Sequence, residues 1–298
     1  MSTITVSLKD RTDKGIPIVG FGTGTALFGR DATQSALNAI KAGFRHLDGA
    51  QAYANEKSLG DAIAESGIPR EELWVTTKLD VVPPGKNVGD TLRESLSKNK
   101  LNLGYVDLFL IHNPKQHPHV KDVWRQVLQL KKEGLARSVG VSNFTVRYLE
   151  QIVGPNPQDA SLLPDVIQNE YHPYIAKAGN AVREYAKKHG IIFASYAGLT
   201  PIARFPNGPV TSVVERAAKR LSEVRGQPVT TGQVLQVWLR QQGIVVISTS
   251  NKEERLKEYL DVPNLPPLTE EEMQAIETEG AKEHHRVFMT WLEKEPPE

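Results

Sequence analysis

Apolar and polar positions follow two different periods along this chain, and the two periods alternate. Short apolar runs typical of buried strands are separated by segments in which apolar residues recur every three or four positions, as on one face of a helix. Strand-helix alternation of this kind favours a parallel sheet, and eight repeats favour a closed barrel. We therefore expect an α/β fold, a (β/α)8 TIM barrel, formed as a single domain by residues 1–298. The predicted strands are the segment before Gly20, Arg45 to Asp48, Leu73 to Lys78, Val106 to His112, Arg137 to Val141, Val166 to Glu170, Ile191 to Tyr196 and Ile244 to Thr249.

The two ends of the chain fall outside this repeating unit. Ile4 to Leu8 alternates apolar with polar, and Ile16 to Val19 resumes after Asp13-Lys14-Gly15, so we predict an N-terminal β-hairpin that plugs the closed end of the barrel. Near the other end, Thr269-Glu270-Glu271-Glu272 is typical of a capped helix start. The tail from His284 to Glu298 is expected to form an irregular substrate loop.

Two further local signals are a helix cap and a loop. Asn55 directly before Glu56 predicts an N-cap, because an Asn side chain can accept hydrogen bonds from the first turn of a helix. Leu199 to Pro209 falls outside the repeating unit; it is rich in Pro and Gly and is predicted to be a loop between the seventh strand and the next helix. Long loops on a rigid scaffold commonly carry binding residues.

Composition restricts the classes of function. The chain has 298 residues, a formal charge of +1 and no cysteine. Near-neutral charge gives no argument for nucleic acid or an anionic membrane as a partner. The lack of cysteine excludes disulfides, thiolate catalysis and Cys-ligated zinc. The start of the chain resembles no leader and no apolar run is long enough to cross a bilayer, so we expect a cytoplasmic protein.

Three of the predicted strands finish on titratable groups. Asp48, Lys78 and His112 each stand at the end of a strand, and Tyr53 follows shortly after Asp48. The carboxyl ends of barrel strands meet at one mouth, so we expect these four side chains to converge there.

These four side chains together can donate a proton to a carbonyl oxygen. A phenol with a pKa of about 10 is a poor proton donor at neutral pH, and the ammonium of Lys78 is expected to lower the pKa of Tyr53. Asp48 would compensate the buried cation. Tyr53 can then protonate a carbonyl oxygen while His112 orients the substrate. Since no side chain donates hydride, this chemistry requires a nicotinamide cofactor.

This set resembles the catalytic tetrad of the aldo-keto reductases, and the resemblance covers nearly the whole chain. It implies reduction of aldehydes or ketones to alcohols by an NAD(P)H-dependent enzyme that is a monomer by default. Glu170 is also similar to a position that binds the cofactor carboxamide in that family. The resemblance implies further cofactor-binding residues, which are Gly22, Thr23, Asp48, Ser142, Asn143, Gln168, Tyr196 and Leu199.

Residues at the end of the last strand are expected to decide between NADPH and NADH. Ser250 and Arg255 match the family pattern, whereas Thr249 stands where many relatives have Lys, and Asn251 and Lys252 follow. A phosphate can be held by a Ser hydroxyl, backbone N–H groups at a helix start and an Arg fork without that lysine. NADPH is therefore expected to be preferred to NADH.

The substrate side departs from many relatives in two places. Asn113 follows His112 where they have Trp, and Gly24 replaces an aromatic residue, which should widen the pocket and make it more polar. Phe28 and Trp291 are the other expected substrate residues. The pattern is similar to a fungal subgroup that reduces α-keto amides and conjugated polyketones, so activated dicarbonyls, including keto lactones, are expected to be better substrates than sugars. That likeness rests on Gly22-Thr23-Gly24-Thr25, Thr249-Ser250 with Lys252, and the tail from His285-Arg286 to Trp291.

Two other functions fit parts of the pattern. A non-catalytic relative could sense the cofactor and act through a partner protein, but a sensor does not need the proton donor Tyr53. A metal-dependent barrel hydrolase could use His117-Pro118-His119, which has the H-x-H spacing. Proline between the histidines is unfavourable for strand geometry, so we expect a solvated loop and no metal site.

Overall fold

Eight parallel strands form a closed barrel in the computed structural model, which describes residues 4–8 and 11–295. The barrel runs from β3 to β9 in chain order and closes by pairing of β10 with both β9 and β3. The predicted (β/α)8 architecture is thus confirmed. The strands are β1 (Thr5–Leu8), β2 (Arg11–Pro17), β3 (Val19–Gly22), β4 (His46–Asp48), β5 (Trp74–Leu79), β6 (Val106–Ile111), β7 (Ala136–Ser142), β8 (Val166–Glu170), β9 (Ile192–Tyr196) and β10 (Val245–Ser248).

Helices cover the outside of the barrel between the strands. No helix in the described ranges combines the length and apolar character needed to cross a bilayer. The helices are α1 (Thr33–Ala42), α2 (Glu56–Ser66), α3 (Val88–Leu96), α4 (Val120–Lys132), α5 (Val146–Val153), α6 (Ala176–His189), α7 (Thr200–Ala203), α8 (Thr211–Arg225), α9 (Thr231–Gln241), α10 (Glu253–Asp261) and α11 (Glu270–Gly280). Short 3-10 turns are Thr25–Leu27, Gln51–Tyr53, Arg70–Glu72, Pro114–Gln116, Ala160–Leu162, Pro173–Ile175, Val262–Asn264 and Thr290–Lys294.

The core has two shells, because each barrel strand is covered on both faces. Every residue of β5 and β6 is buried, as expected for parallel strands that are covered on both faces. One shell lies between strands and helices and includes Ile40, Leu59 and Val127. The other fills the barrel and includes Trp74 and Leu108.

The N-terminal hairpin plugs the barrel, although its turn was predicted in the wrong place. Leu8 and Ile16 belong to the apolar cluster inside the barrel. Asp13-Lys14-Gly15 lies within β2, opposite β1, and pairing of the two strands extends to Leu8 and Arg11. Gly15 allows this pairing, because a Cβ there would lie 2.7 Å from Thr5 Oγ1.

The closed end of the barrel is tied together by one buried carboxylate. Asp107 on β6 accepts hydrogen bonds from Lys14 Nζ at 3.1 Å and from the backbone N–H of Val75 at 2.9 Å. Arg70 Nη2 forms an ion pair with the second oxygen of Asp107 at 2.7 Å. The hairpin, β5 and β6 are therefore joined through Asp107.

Three local predictions had different outcomes. The capping box at Thr269 is confirmed, since its side chain accepts from Glu272 N at the start of α11. Asn55 stands at the start of α2 but does not cap it; its amide donates to the carbonyls of Thr23 and Leu27 at 2.9 Å each, so it ties the loop after β3 to the helix. The segment Leu199 to Pro209 contains the short helix α7, so it is not wholly a loop.

Candidate active site

A cavity of about 570 Å³ opens at the carboxyl ends of the barrel strands. Its walls come from many separate segments of the chain, as expected when parallel strands end at one mouth. Most of the residues expected from the sequence line it. These are Gly22, Gly24, Phe28, Asp48, Tyr53, His112, Asn113, Ser142, Asn143, Gln168, Tyr196, Leu199, Thr249 and Arg255.

The four residues of the expected tetrad converge at the base of this cavity. Lys78 Nζ donates to Asp48 Oδ1 at 2.5 Å and to the Tyr53 hydroxyl at 3.4 Å. The rings of Tyr53 and His112 meet edge to face, with centroids 5.5 Å apart. Lys78 is 0% exposed and lies directly beneath Tyr53. The phenol therefore connects a buried ion pair to the cavity.

Strand register explains why Lys78 and Asp48 meet. Asp48 at the end of β4 is level with Thr76 of β5, and Lys78 lies two residues further along β5. Successive residues of a strand point to opposite faces, so Thr76 and Lys78 share a face. Lys78 reaches back to Asp48 and also donates to the Gly49 carbonyl at 2.9 Å.

The acidity of Tyr53 differs from the expectation drawn from the sequence. Burial raises the pKa of the Tyr53 phenol above its usual value, and the nearby Lys78 ammonium opposes this rise without reversing it. The expected net lowering of the pKa is therefore wrong, because desolvation of tyrosinate outweighs an ammonium 3.4 Å away. Tyr53 is consequently protonated at neutral pH.

Lys78 and His112 differ in charge, because Lys78 is a cation and His112 is neutral. Burial disfavours the ammonium of Lys78, but Asp48 and Tyr53 outweigh burial and raise its pKa, so Lys78 stays charged. Burial, with a smaller contribution from the Lys78 charge, lowers the pKa of His112 to about 3. His112 is therefore a neutral imidazole with one N–H to donate.

A second group of polar side chains lies on the neighbouring strands. Tyr196 donates its hydroxyl to Asn143 Oδ1 at 2.6 Å, and Ser142 Oγ donates to the Gln168 carbonyl at 2.6 Å. Gln168 Nε2 also donates to Asp48 Oδ2 at 2.8 Å, which joins this group to the tetrad. Hydroxyl and amide groups placed beside the Tyr196 ring are suited to hold a flat carboxamide-bearing ring.

Two residues assigned to the cofactor from the sequence have other partners. Thr23 is buried and contacts the Asp48 carbonyl and Asn55, so it supports the mouth and does not line the cavity. Glu170 also lies behind the wall, where its carboxylate accepts the backbone N–H groups of Val287 and Phe288.

The far end of the cavity lies at the start of α10. Thr249 and Arg255 line it, and Thr249 Oγ1 donates to the Gly22 carbonyl at 2.7 Å across the β10–β3 seam. Ser250 Oγ accepts the N–H of Lys252. Asn251, Lys252 and Arg255 are exposed, and within the described residues neither cation forms an ion pair. An anion placed here would meet a helix start and two cations.

The outer part of the cavity holds Phe28, Gly24 and Asn113, as expected. Phe28 is 56% exposed, with its ring centroid 6.0 Å from that of Tyr53. Gly24 packs on the phenol, since a Cβ there would lie 3.0 Å from Tyr53 Cζ. Trp291 does not line the cavity; its ring meets Tyr148 edge to face and lies under the Lys115 ammonium. Lys115 and Tyr148 therefore hold Trp291 at the periphery.

Other wall residues were missed by the sequence reasoning. Phe288 and Met289 line the cavity in place of Trp291, and Gln116 lines it from the 3-10 turn after β6. Gln116 Nε2 donates to Asp80 at 2.9 Å, which fixes its amide. The position of the tail depends on contacts far apart in the chain, so no local pattern distinguishes Phe288 from Trp291.

Comparison with known proteins agrees with this geometry. The model of the aldo/keto reductase family matches residues 19–279, which span the barrel from β3 to α11. This chain belongs to the aldo/keto reductase family. The structure of an aldo/keto reductase from Brucella melitensis shares 31% identity with it and superposes with a TM-score of 0.76, covering 93% of this chain and 100% of that one.

Two curated reductases are similar over almost their whole length. An NAD/NADP-dependent indole-3-acetaldehyde reductase from Schizosaccharomyces pombe is 33% identical, over 94% of this chain and 97% of its own. A glyoxal reductase from Bacillus subtilis is 35% identical, over 91% and 93% respectively. This aldo-keto reductase is accordingly an NAD(P)H-dependent oxidoreductase that acts on carbonyl groups.

Proposed function

We propose that this aldo-keto reductase reduces activated dicarbonyl compounds to alcohols, with Tyr53 as the proton donor and NADPH as the preferred cofactor. The observation that carries the proposal is the contact of the Tyr53 hydroxyl with Lys78 Nζ at 3.4 Å, at the base of the cavity. Asp48 completes the set through its ion pair with Lys78.

Tyr53 is suited to donate its proton as the reaction proceeds. A bound reduced nicotinamide would supply a hydride to the carbonyl carbon. As the hydride arrives, the carbonyl oxygen gains negative charge and accepts the proton from the Tyr53 hydroxyl. The Lys78 ammonium stabilises the tyrosinate that forms, and this stabilisation is greatest when the proton has left. Asp48 keeps the ammonium charged and in place, since it raises the pKa of Lys78.

His112 is proposed to position the carbonyl. Its imidazole is neutral, its ring meets the Tyr53 ring, and its carbonyl is held by Asn143 Nδ2 at 2.8 Å. One N–H of the ring can donate to the carbonyl oxygen beside the Tyr53 hydroxyl. Two donors on one oxygen fix its position and favour the charge that develops there.

The cofactor assignment follows the chemistry of the donor groups along the cavity. Ser142, Asn143 and Gln168 offer hydroxyl and amide groups for a carboxamide beside Tyr196, and Arg255 lies at the far end. The preference for NADPH rests on Arg255 and Lys252 at the start of α10. Glu253 in the same turn pairs with Lys257, which reduces its effect on a phosphate.

The proposed substrate class follows from the outer wall. Asn113 and Gln116 contribute amides, and Phe28, Phe288 and Met289 contribute apolar surface. A second carbonyl next to the reacting one can accept a hydrogen bond from an amide while the rest of the molecule packs on the rings. Dicarbonyls such as α-keto amides, conjugated polyketones or keto lactones fit this wall. Isatin and a keto lactone should be turned over faster than xylose, and the reverse order would contradict this substrate class.

The site is proposed to work within one chain acting on a small molecule. All of the wall residues named above belong to this one chain, and residues 1–298 would form one catalytic domain. We propose a monomer that acts without nucleic acid or a protein partner. Sedimentation of the protein with and without NADPH tests this proposal: a mass of one chain is expected, and a mass of two or more chains would contradict it.

Substitution of Tyr53 by Phe tests the proton donor. Tyr53→Phe keeps the ring and removes the hydroxyl, so the rate of NADPH oxidation with a dicarbonyl should fall by about 10³-fold. Affinity for NADPH, measured by quenching of protein fluorescence, should be unchanged. Tyr185→Phe is the matched control, because Tyr185 lies on α6 and its hydroxyl has no hydrogen-bond partner among the residues that the structure describes. A Tyr53→Phe enzyme as active as Tyr185→Phe would refute the proposal.

A further inference from the structure

Residues 284–295 form one wall of the substrate cavity, although the structure describes no α-helix or β-strand in this part of the chain. Phe288 and Met289 line the cavity, and Phe288 meets the Tyr196 ring with centroids 5.8 Å apart. Met289 adopts a left-handed backbone conformation, with φ of 48°. No regular secondary structure fixes the position of Phe288 and Met289, so contacts with the barrel must hold them.

The strongest of these contacts is made by a buried carboxylate at the end of β8. Glu170 is 3% exposed and does not line the cavity. Its Oε1 accepts the backbone N–H of Val287 at 2.9 Å, and its Oε2 accepts that of Phe288 at 2.8 Å. Hydrogen bonds to an ionised acceptor are about twice as strong as neutral ones.

A third donor supports Glu170 from the barrel side. His172 Nε2 lies 3.1 Å from Glu170 Oε1, and both side chains are 0% exposed. A carboxylate can only accept, so Nε2 carries the proton. Burial lowers the pKa of His172, and Glu170 opposes that shift, so the neutral ring is the donor. Three N–H groups therefore surround Glu170, and two of them belong to the tail.

Other contacts of the tail are weaker or lie further from the cavity. His285 stacks on Phe205, with centroids 3.8 Å apart, and its backbone N–H donates to the Tyr174 carbonyl at 3.3 Å. Arg204 lies 5.8 Å from the Phe288 ring. None of these contacts fixes the backbone of Val287 and Phe288 directly, as the Glu170 carboxylate does.

We propose that Glu170 is a positioning residue that latches residues 287–289 against the barrel and thereby sets which carbonyl compounds fit the cavity. The effect on substrate choice rests on the proposed function, whereas the latch itself does not. Glutamine at this position offers one acceptor and one NH₂ group, so one tail N–H would face a donor. The wall should then loosen, while the tetrad and the cofactor end of the cavity remain intact.

Hydrogen exchange of the tail amides tests the latch without any substrate. In the wild type, Val287 and Phe288 should exchange more slowly than the exposed residues Glu283 and His284. In Glu170→Gln, exchange at Val287 and Phe288 should become about tenfold faster, as expected for the loss of one charge-assisted bond. Equal exchange across the segment in the wild type would overturn the latch, even if the variant did not fold.

Kinetics separate positioning from a general loss of structure. Glu170→Gln should raise KM for a bulky dicarbonyl by about tenfold, with little change in kcat or in NADPH affinity. Glu283→Gln is the matched control, because Glu283 is an exposed carboxylate on the same segment, and its ion-pair partner is the half-buried His285. It should leave both exchange and KM unchanged.

A double-mutant cycle tests whether Glu170 affects KM through Phe288. If Glu170 acts by holding Phe288, then Glu170→Gln should have almost no further effect on KM in a Phe288→Ala background. Effects of the two substitutions that simply add would overturn the specificity role. If no dicarbonyl is reduced by the wild type, the proposed function fails, but the exchange rates of Val287 and Phe288 still decide the latch.

Discussion

The two ends of the barrel each bury a carboxylate that pairs with basic side chains, and we propose that only the pair at the mouth takes part in chemistry. At the closed end, Asp107 binds Lys14, Arg70 and the Val75 amide, and these contacts join the hairpin to the strands. At the mouth, Asp48 binds Lys78 and Gln168, and Lys78 also reaches the phenol of Tyr53. The two ion pairs differ in that only Lys78 contacts a titratable side chain, Tyr53, that lines the cavity.

Backbone strain also distinguishes the mouth of the barrel. Thr25, Asn143, Ala197 and Met289 line the cavity with positive φ values of 44°, 62°, 58° and 48°, and Ala54 follows Tyr53 with φ of 55°. Residues without glycine's freedom hold such conformations only where their surroundings impose them, and they cluster at functional sites. Backbone strain is therefore concentrated at the mouth of the barrel, where it accompanies the arrangement of the cavity walls.

The largest expected effect comes from removing the cation at the mouth. Lys78→Met leaves the Asp48 carboxylate buried without its partner, so the free energy of unfolding should fall by about 3–5 kcal/mol. The rate of carbonyl reduction should fall by about 10²–10⁴-fold, because tyrosinate is no longer stabilised. Adding Asp48→Asn should recover stability, measured by urea unfolding, but not the rate. Recovery of the rate would show that Lys78 has only a structural role.

The corresponding change at the closed end should affect stability alone. Asp107→Asn removes the charge that holds Lys14 and Arg70, and the free energy of unfolding should fall by about 2 kcal/mol. The value of kcat, measured below the unfolding range, should equal that of the wild type. A kcat reduced as strongly as in Lys78→Met would remove the distinction between the two ends.

A smaller effect is expected at the cofactor end of the mouth. Arg255→Ala should raise KM for NADPH by about tenfold, or about 1.4 kcal/mol, and leave KM for NADH unchanged. Arg216→Ala, at an exposed position of α8, is the control. An equal loss of affinity for both nucleotides would mean that Arg255 does not contact the extra phosphate.

The last prediction concerns the pH dependence of stability, whose effect over a single pH unit is no larger than that of Arg255→Ala. Burial lowers the pKa of His112 to about 3, so between pH 6.5 and 3 the unfolded chain binds a proton that the folded protein does not. The contribution of His112 is therefore complete above pH 6.5 and decreases as the pH falls, by at most about 1.4 kcal/mol per unit. His112→Gln should flatten the acid side of the unfolding profile relative to the exposed His119→Gln. Parallel profiles for the two variants would contradict this charge state.

The barrel and the core of the site followed from local patterns, because strand ends of a parallel barrel must meet. Asp48, Lys78 and His112 could be placed together on that ground alone. The pKa of Tyr53 could not, since it depends on how deeply the ring is buried once the helices pack. The roles of Asn55 and Glu170 also differed from expectation, because their partners Leu27 and Phe288 are far away in the sequence.

The central claim, that the proton of Tyr53 moves to the substrate oxygen as hydride reaches the carbon, is tested most directly by isotope effects in a single turnover. NADPH oxidation by the wild type should be slower in D₂O than in H₂O and slower again with deuterium at the transferred position of the cofactor. The effect of D₂O should disappear from the residual rate of Tyr53→Phe. Equal wild-type rates in D₂O and H₂O, with the cofactor isotope effect still present, would contradict the account.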